Sequence, residues 1–243
     1  MSIFLWGGGW SPAGDPEIVG PFLAEAAQRA AGSGRMIPRV AFLLVRDEDP
    51  ASTYAVGYPA SFEAVAPCEP VIAHLRVPGD EVAFTSGVLN DIDALVIGGG
   101  MTPDYLAAVD PIMEEIRLLV ADGLPYLGFS AGAMIAADRA VIGGWLIEGV
   151  AVCPEDTAED LDEVTIEEGL GLVDLAIDVH AAQWGTLGRL VAATEAGMVG
   201  GGVAIDEFTA LVVADDGLRV VGAGSVWRVI NDPAGVIVGA LAP

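Results

Sequence analysis

The chain has 243 residues, 53% of them hydrophobic and 19% charged, enough to bury a core as one α/β domain over residues 1–243. Ten basic against 35 acidic residues leave a net charge of −25. A surface of that sign repels phosphate backbones and anionic lipid, which argues against nucleic acid and membranes as partners. All ten basic residues are arginine, so mechanisms built on a P-loop lysine, a Schiff base, a pyridoxal-phosphate anchor or a Ser–Lys dyad are excluded.

Two histidines, His74 and His180, and two cysteines, Cys68 and Cys153, show no metal-ligand or redox spacing. No metal or organic cofactor is expected. The amino-terminal segment lacks the basic start of a signal peptide, and no run of about 18 apolar residues occurs. A cytoplasmic location follows by default, and a homodimer is left open.

Ser2–Trp6 reads as a strand that runs into Gly7-Gly8-Gly9. Residues 17–31 carry Ile18, Phe22, Ala26 and Ala30 at helical spacing. Arg39–Val45 is a continuous apolar strand, Pro59–Ala66 a helix and Val71–Arg76 a strand. Ala94–Ile97 is a strand ending in Gly98-Gly99-Gly100. Pro111–Ala121 reads as a helix, Pro125–Phe129 as a strand and Ala131–Arg139 as a helix. Strand, glycine turn, helix and strand again predict a mostly parallel sheet with helices on both faces, a three-layer sandwich. After about residue 200, short strands at 202–206, 209–214, 218–221, 225–230 and 236–241 predict a β-rich C-terminal extension, with a hairpin at Asp215-Asp216-Gly217.

Residues 155–168, EDTAEDLDEVTIEE, form a dense acidic run. It reads as a solvated face, or as a rim that draws cationic groups. It lacks the ligand order of an EF-hand loop.

The segment that carries chemistry is LPYLGFSAGAMIAADR, residues 124–139. Gly128-Phe129-Ser130-Ala131-Gly132 is G-x-S-x-G between a strand and a helix, the setting in which a serine hydroxyl projects from a tight turn. Ser130 would stand at a helix N-terminus, with the Ala131 N–H free to hold an oxyanion. Gly99 or Gly100, at the end of another strand, can turn a second N–H into the same place. A serine nucleophile needs a base. Lysine is absent and His74 lies inside a strand, whereas Ile177-Asp178-Val179-His180 ends an apolar run and so puts His180 at a strand end, where open α/β sheets place their sites. The helix expected after it spans Gln183–Ala193.

These segments resemble the cyanophycinase and dipeptidase E (aspartyl dipeptidase) family of serine peptidases. ALVIGGG, YLGFSAGAMIAA, EEGLGLVDLAIDVH with GTLGRL, and GVAIDEFTALVV with LRVVGAGSVWRV occur in the family's order. The resemblance implies a flavodoxin-like, class I glutamine amidotransferase-like fold. It implies Ser130 as nucleophile, His180 as base and Glu207 as the acid that orients it, with Asp206 as fallback. The dipeptidase E position for the acid would leave only Glu148. Met101 stands where the family usually has a polar residue. Gln183 and Trp184 follow the histidine in place of an arginine-rich segment, and these three are the expected pocket wall. The implied activity is hydrolysis of a small peptide or isopeptide amide. The alternatives are an esterase with the same triad and a non-catalytic amidotransferase-like binding protein.

Overall fold

The computed structural model describes residues 2–46, 53–77 and 83–243. In chain order the elements are β1 (Ser2–Trp6), α1 (Pro16–Gly32), β2 (Arg39–Arg46), α2 (Thr53–Glu63), β3 (Glu69–Arg76), β4 (Ala94–Ile97), α3 (Thr102–Val109), α4 (Met113–Ala121), β5 (Tyr126–Phe129) and α5 (Ala131–Met134). There follow β6 (Arg139–Gly143), β7 (Leu146–Ile147), β8 (Val150–Ala151), β9 (Thr165–Glu168), β10 (Ala176–Val179), α6 (Ala181–Trp184), α7 (Leu187–Glu195), β11 (Gly201–Ile205), β12 (Thr209–Ala214), β13 (Gly217–Gly222), β14 (Val226–Asp232) and β15 (Gly235–Leu241).

The central sheet has seven strands in the order β13-β12-β1-β5-β4-β2-β3. From β1 to β3 every neighbour is parallel, while β12 pairs antiparallel with both β1 and β13. The parallel strands β1, β2, β4 and β5 are almost wholly buried, as their unbroken apolar runs require. One apolar cluster lies on each side of the sheet. Phe4, Trp6, Phe22, Phe42 and Phe62 belong to one, and Leu5, Leu43, Ile97, Tyr126 and Ile177 to the other.

The C-terminal strands do not all extend this sheet. β12 and β13 join it, but β14 and β15 go to a second sheet, β10-β11-β14-β15, in which only β10 and β11 run parallel. The link from β11 to β12, residues 206–208, crosses between the two sheets.

Three helix expectations need correction. The helix from Ala131 ends at Met134, not Arg139, because its next carbonyls are taken from outside. Those of Ile135, Ala136 and Ala137 accept from the N–H groups of Leu170, Leu172 and Gly171. Pro59 lies inside α2 instead of opening a helix. The helix expected over 183–193 is two pieces, α6 and α7, parted at Gly185 in the left-handed region. α3 was missed, although Pro103 in its first turn and Tyr105, Ala108 and Val109 on its buried side carry its signature.

Among the described residues, no helix is long and apolar enough to cross a membrane. Cys68 and Cys153 are both free thiols.

Candidate active site

The ends of four strands meet at one place. β5 delivers Ser130, β10 delivers His180, β11 leads to Asp206 and Glu207, and β1 leads to Gly7-Gly8-Gly9. All lie at the carboxyl ends of parallel strands, where outward-pointing backbone groups leave a crevice.

Ser130 has φ 52° and ψ −111°, a conformation that an L-residue holds only under constraint. Its N–H donates to the Trp6 carbonyl at 2.9 Å, and its own carbonyl accepts from Ala133 and Met134. The flanking glycines are steric necessities. A Cβ on Gly128 would run into the Gly132 carbonyl, and one on Gly132 into the Ile97 carbonyl at the end of β4. The G-x-S-x-G spacing therefore exists so that β5, β4 and α5 can close around the serine. Ala131 opens α5, so its N–H has no intrahelical acceptor.

Ser130 Oγ lies 2.9 Å from His180 Nε2, and His180 Nδ1 lies 2.7 Å from Glu207 Oε1. His180 is itself in the left-handed region, φ 56°, with its N–H donating to the Gly7 carbonyl. Burial holds the imidazole below the usual histidine range, while the Glu207 carboxylate pulls the other way. The ring is thus neutral at pH 7 and able to accept a proton. The rival His74 sits on β3, at the sheet edge three strands away from β5.

The neighbouring acids separate by their partners. Asp206 accepts from the Ala182 N–H, the Ser225 N–H and Trp227 Nε1, all at 2.9–3.0 Å, which ties α6 to β14, while the imidazole is bonded to Glu207. Asp178 is buried in a two-bond ion pair with Arg189. Glu148 sits exposed in the β7–β8 turn.

Gly99 packs against Ser130, with no room for a side chain between them. Its N–H donates to the Tyr54 hydroxyl at 3.2 Å and its carbonyl accepts from Arg46. Gly100 packs instead against the Val45 carbonyl and the Tyr105 ring. Trp184 stacks on the His180 ring, and the Gln183 side-chain oxygen accepts the Glu207 N–H at 2.9 Å. Met101 borders a cleft of about 380 Å³ with Trp145 and residues 155–162 of the acidic segment. A separate cleft of about 410 Å³ lies at the opposite, amino ends of β10 and β11 and touches none of these groups. Among the described residues, no group of three or more His, Cys, Asp or Glu side chains is placed to hold a metal ion.

From the sequence, Gly7-Gly8-Gly9 reads only as the end of the first strand. In the structure Gly8 packs so close to the His180 ring that a Cβ on it would overlap the imidazole, and its carbonyl accepts the Phe208 N–H at 2.7 Å. A triplet of glycines directly after the first strand was the available signal.

A mostly parallel sheet with a serine elbow at its carboxyl edge defines a class I glutamine amidotransferase-like α/β protein. Within that class the chain belongs to peptidase family S51, whose sequence profile it matches over residues 53–221. It is 36% identical over 126 residues to a cyanophycinase of Trichormus variabilis, covering 51% of this chain and 39% of that one. It is 44% identical over 85 residues to phosphoribosylformylglycinamidine synthase subunit PurQ of Methanopyrus kandleri, covering 31% and 38%. The matched stretches thus span well under half of these relatives' own length. In fold, the chain is similar to a peptidase from an acI-B1 actinobacterium, with a TM-score of 0.66 at 15% identity, over 99% of this chain and 93% of that one.

Proposed function

We propose that this chain is a serine peptidase that cleaves a small peptide or isopeptide amide with Ser130 as nucleophile. The observation that carries the reading is the unbroken relay from Ser130 Oγ through both nitrogens of His180 to Glu207 Oε1, held at a strained elbow. Ser130 Oγ attacks the carbonyl carbon while His180 Nε2 takes its proton. Glu207 keeps Nδ1 protonated and stabilises the imidazolium that forms. The oxyanion lies between the N–H groups of Ala131 and of Gly100 or Gly99, a role worth about 3 kcal/mol per donor. His180 then returns the proton to the leaving amine, and water, activated by the same ring, releases the acyl group.

Labelling by a fluorophosphonate tests the nucleophile. The wild type should be labelled and Ser130→Ala should not. Turnover on a panel of aspartyl peptides and p-nitrophenyl esters then separates amide from ester. Esters cleaved with every peptide untouched would move the assignment to an esterase. An unlabelled wild type would move it to a binding protein.

A further inference from the structure

The acidic segment holds a residue that neither the relay nor solvation explains. Glu159 is turned inward, and its two carboxylate oxygens accept from the backbone N–H and the hydroxyl of Thr102, the latter at 2.9 Å. Thr102 is the first residue of α3 and follows Gly98–Met101 directly. Met101, in the capping position, makes no side-chain bond to the helix. The Thr102 N–H is one of the first-turn donors that have no acceptor within the helix, and it is satisfied from another part of the chain. The backbone is bent to do this. Glu159 and Asp160 are both left-handed, at φ 58° and 60°, and neither is glycine. Such geometry persists only where the surroundings hold it.

We propose that Glu159 is a positioning residue for the oxyanion-binding turn: its carboxylate, bonded to Thr102, fixes Gly98–Met101 against Ser130, and its protonation loosens that turn. The proposal rests on the serine-hydrolase reading above. When ionised, both oxygens accept and the bond to the Thr102 N–H is charge-assisted. When protonated, one oxygen becomes a donor and the remaining bonds are neutral and weaker. The groups that face Glu159 are Arg189 on α7, which favours the ionised form, and Asp178 on β10, which opposes it. Asp160 lies beside it in the chain and also faces Asp104 in the first turn of α3. Burial outweighs the Thr102 bonds and pushes the Glu159 carboxyl up to about 7. The firm form of the turn is then gained as pH rises through neutrality. This is a separate step from the ionisation of His180, which lies below the usual histidine range.

The test is the rate of Ser130 labelling by an uncharged fluorophosphonate across the neutral range. It compares the full chain with Glu159→Gln and Thr102→Val, and thermal melts run alongside. The wild type should show two rising steps, the upper near pH 7. Glu159→Gln should label roughly tenfold more slowly above neutrality and lose the upper step only, since small displacements of catalytic groups cost rates of that order or more. Thr102→Val deletes one hydroxyl and carries the test if Glu159→Gln does not fold. It should keep the upper step but move it to higher pH, because one bond to the ionised form is gone. A labelled wild type whose rate and pH profile both variants share would overturn the proposal alone. A wild type that is not labelled at any pH would remove the serine-hydrolase reading, and the proposal with it.

Discussion

The indole of Trp184 lies on the imidazole of His180, with ring centroids 3.7 Å apart and planes 8° from parallel. One face of the base is thereby closed to water, although the indole itself is 48% exposed. Burial is the main cause of the lowered His180 pKa. Trp184→Leu should therefore let the imidazole titrate nearer its ordinary value of about 6.5, and the lower step in the pH–rate profile should move up. The same shift has a stability counterpart. A histidine lowered in the folded state contributes stability above its unfolded pKa and loses it as pH falls through the folded value. Melting temperatures of Trp184→Leu should accordingly depend less on pH in the acid range than those of the wild type. Trp184→Phe, which keeps a ring over the imidazole, should lie between. An unmoved lower step in Trp184→Leu would show that the indole does not set the solvation of the base.

Ser130 is held at φ 52° and ψ −111° by packing, and the strain belongs to its backbone and not its hydroxyl. Ser130→Ala keeps the Cβ and the strain, so its melting temperature should match the wild type. Ser130→Gly removes the Cβ that makes this region unfavourable. It should raise stability by about 1 kcal/mol while abolishing labelling as completely as alanine does. Denaturant unfolding of the two variants checks this. Equal stabilities would mean that the turn costs nothing to hold.

Much of this site was legible in the sequence because each part follows from a local rule. The G-x-S-x-G turn is set by the close approach of Gly128 to Gly132, and the position of His180 by a strand ending. The parallel sheet followed from unbroken apolar runs at β1, β2, β4 and β5. What was not legible depends on contacts distant in sequence. No local signal in GVAIDEFTA says that Asp206 will bond to Ala182, Ser225 and Trp227 while Glu207 bonds to the imidazole. Nor does an acidic run reveal that Glu159 alone will turn inward to Thr102. The helix expected over 131–139 failed for the same reason: helix-favouring alanines were overruled by backbone bonds from residues 170–172.

Glu207 and Asp206 should therefore fail differently when neutralised. Glu207→Gln removes the charge that orients His180 and raises its pKa. Turnover should fall by orders of magnitude with little change in KM, and what activity remains should have its lower step at more acid pH. Asp206→Asn leaves one acceptor oxygen where two now serve three N–H donors. It should cost about 1–3 kcal/mol in denaturant unfolding, through unsatisfied donors, and much less in turnover. A larger turnover loss in Asp206→Asn than in Glu207→Gln would move the proposed acid from Glu207 to Asp206.

Gly8 offers a sharper test of how closely the first strand seats the base. Its φ is +103°, and a Cβ built on it would overlap His180 Cε1 and crowd both ring nitrogens. The Gly8 carbonyl also receives the Phe208 N–H, next to Glu207, so the backbone cannot retreat without disturbing Glu207. Gly8→Ala should thus tilt the imidazole away from Ser130. Labelling and turnover should fall at least about 100-fold, as expected for a misplacement of the order of 1 Å. Stability should also fall, since an alanine forced to positive φ destabilises even without a clash. Gly149→Ala separates the two effects: Gly149 is also at positive φ, +74°, but has open space around the would-be Cβ. It should lose some stability and keep wild-type labelling. If Gly8→Ala labels at the rate of Gly149→Ala, then contact between the first strand and the imidazole does not hold the base in place.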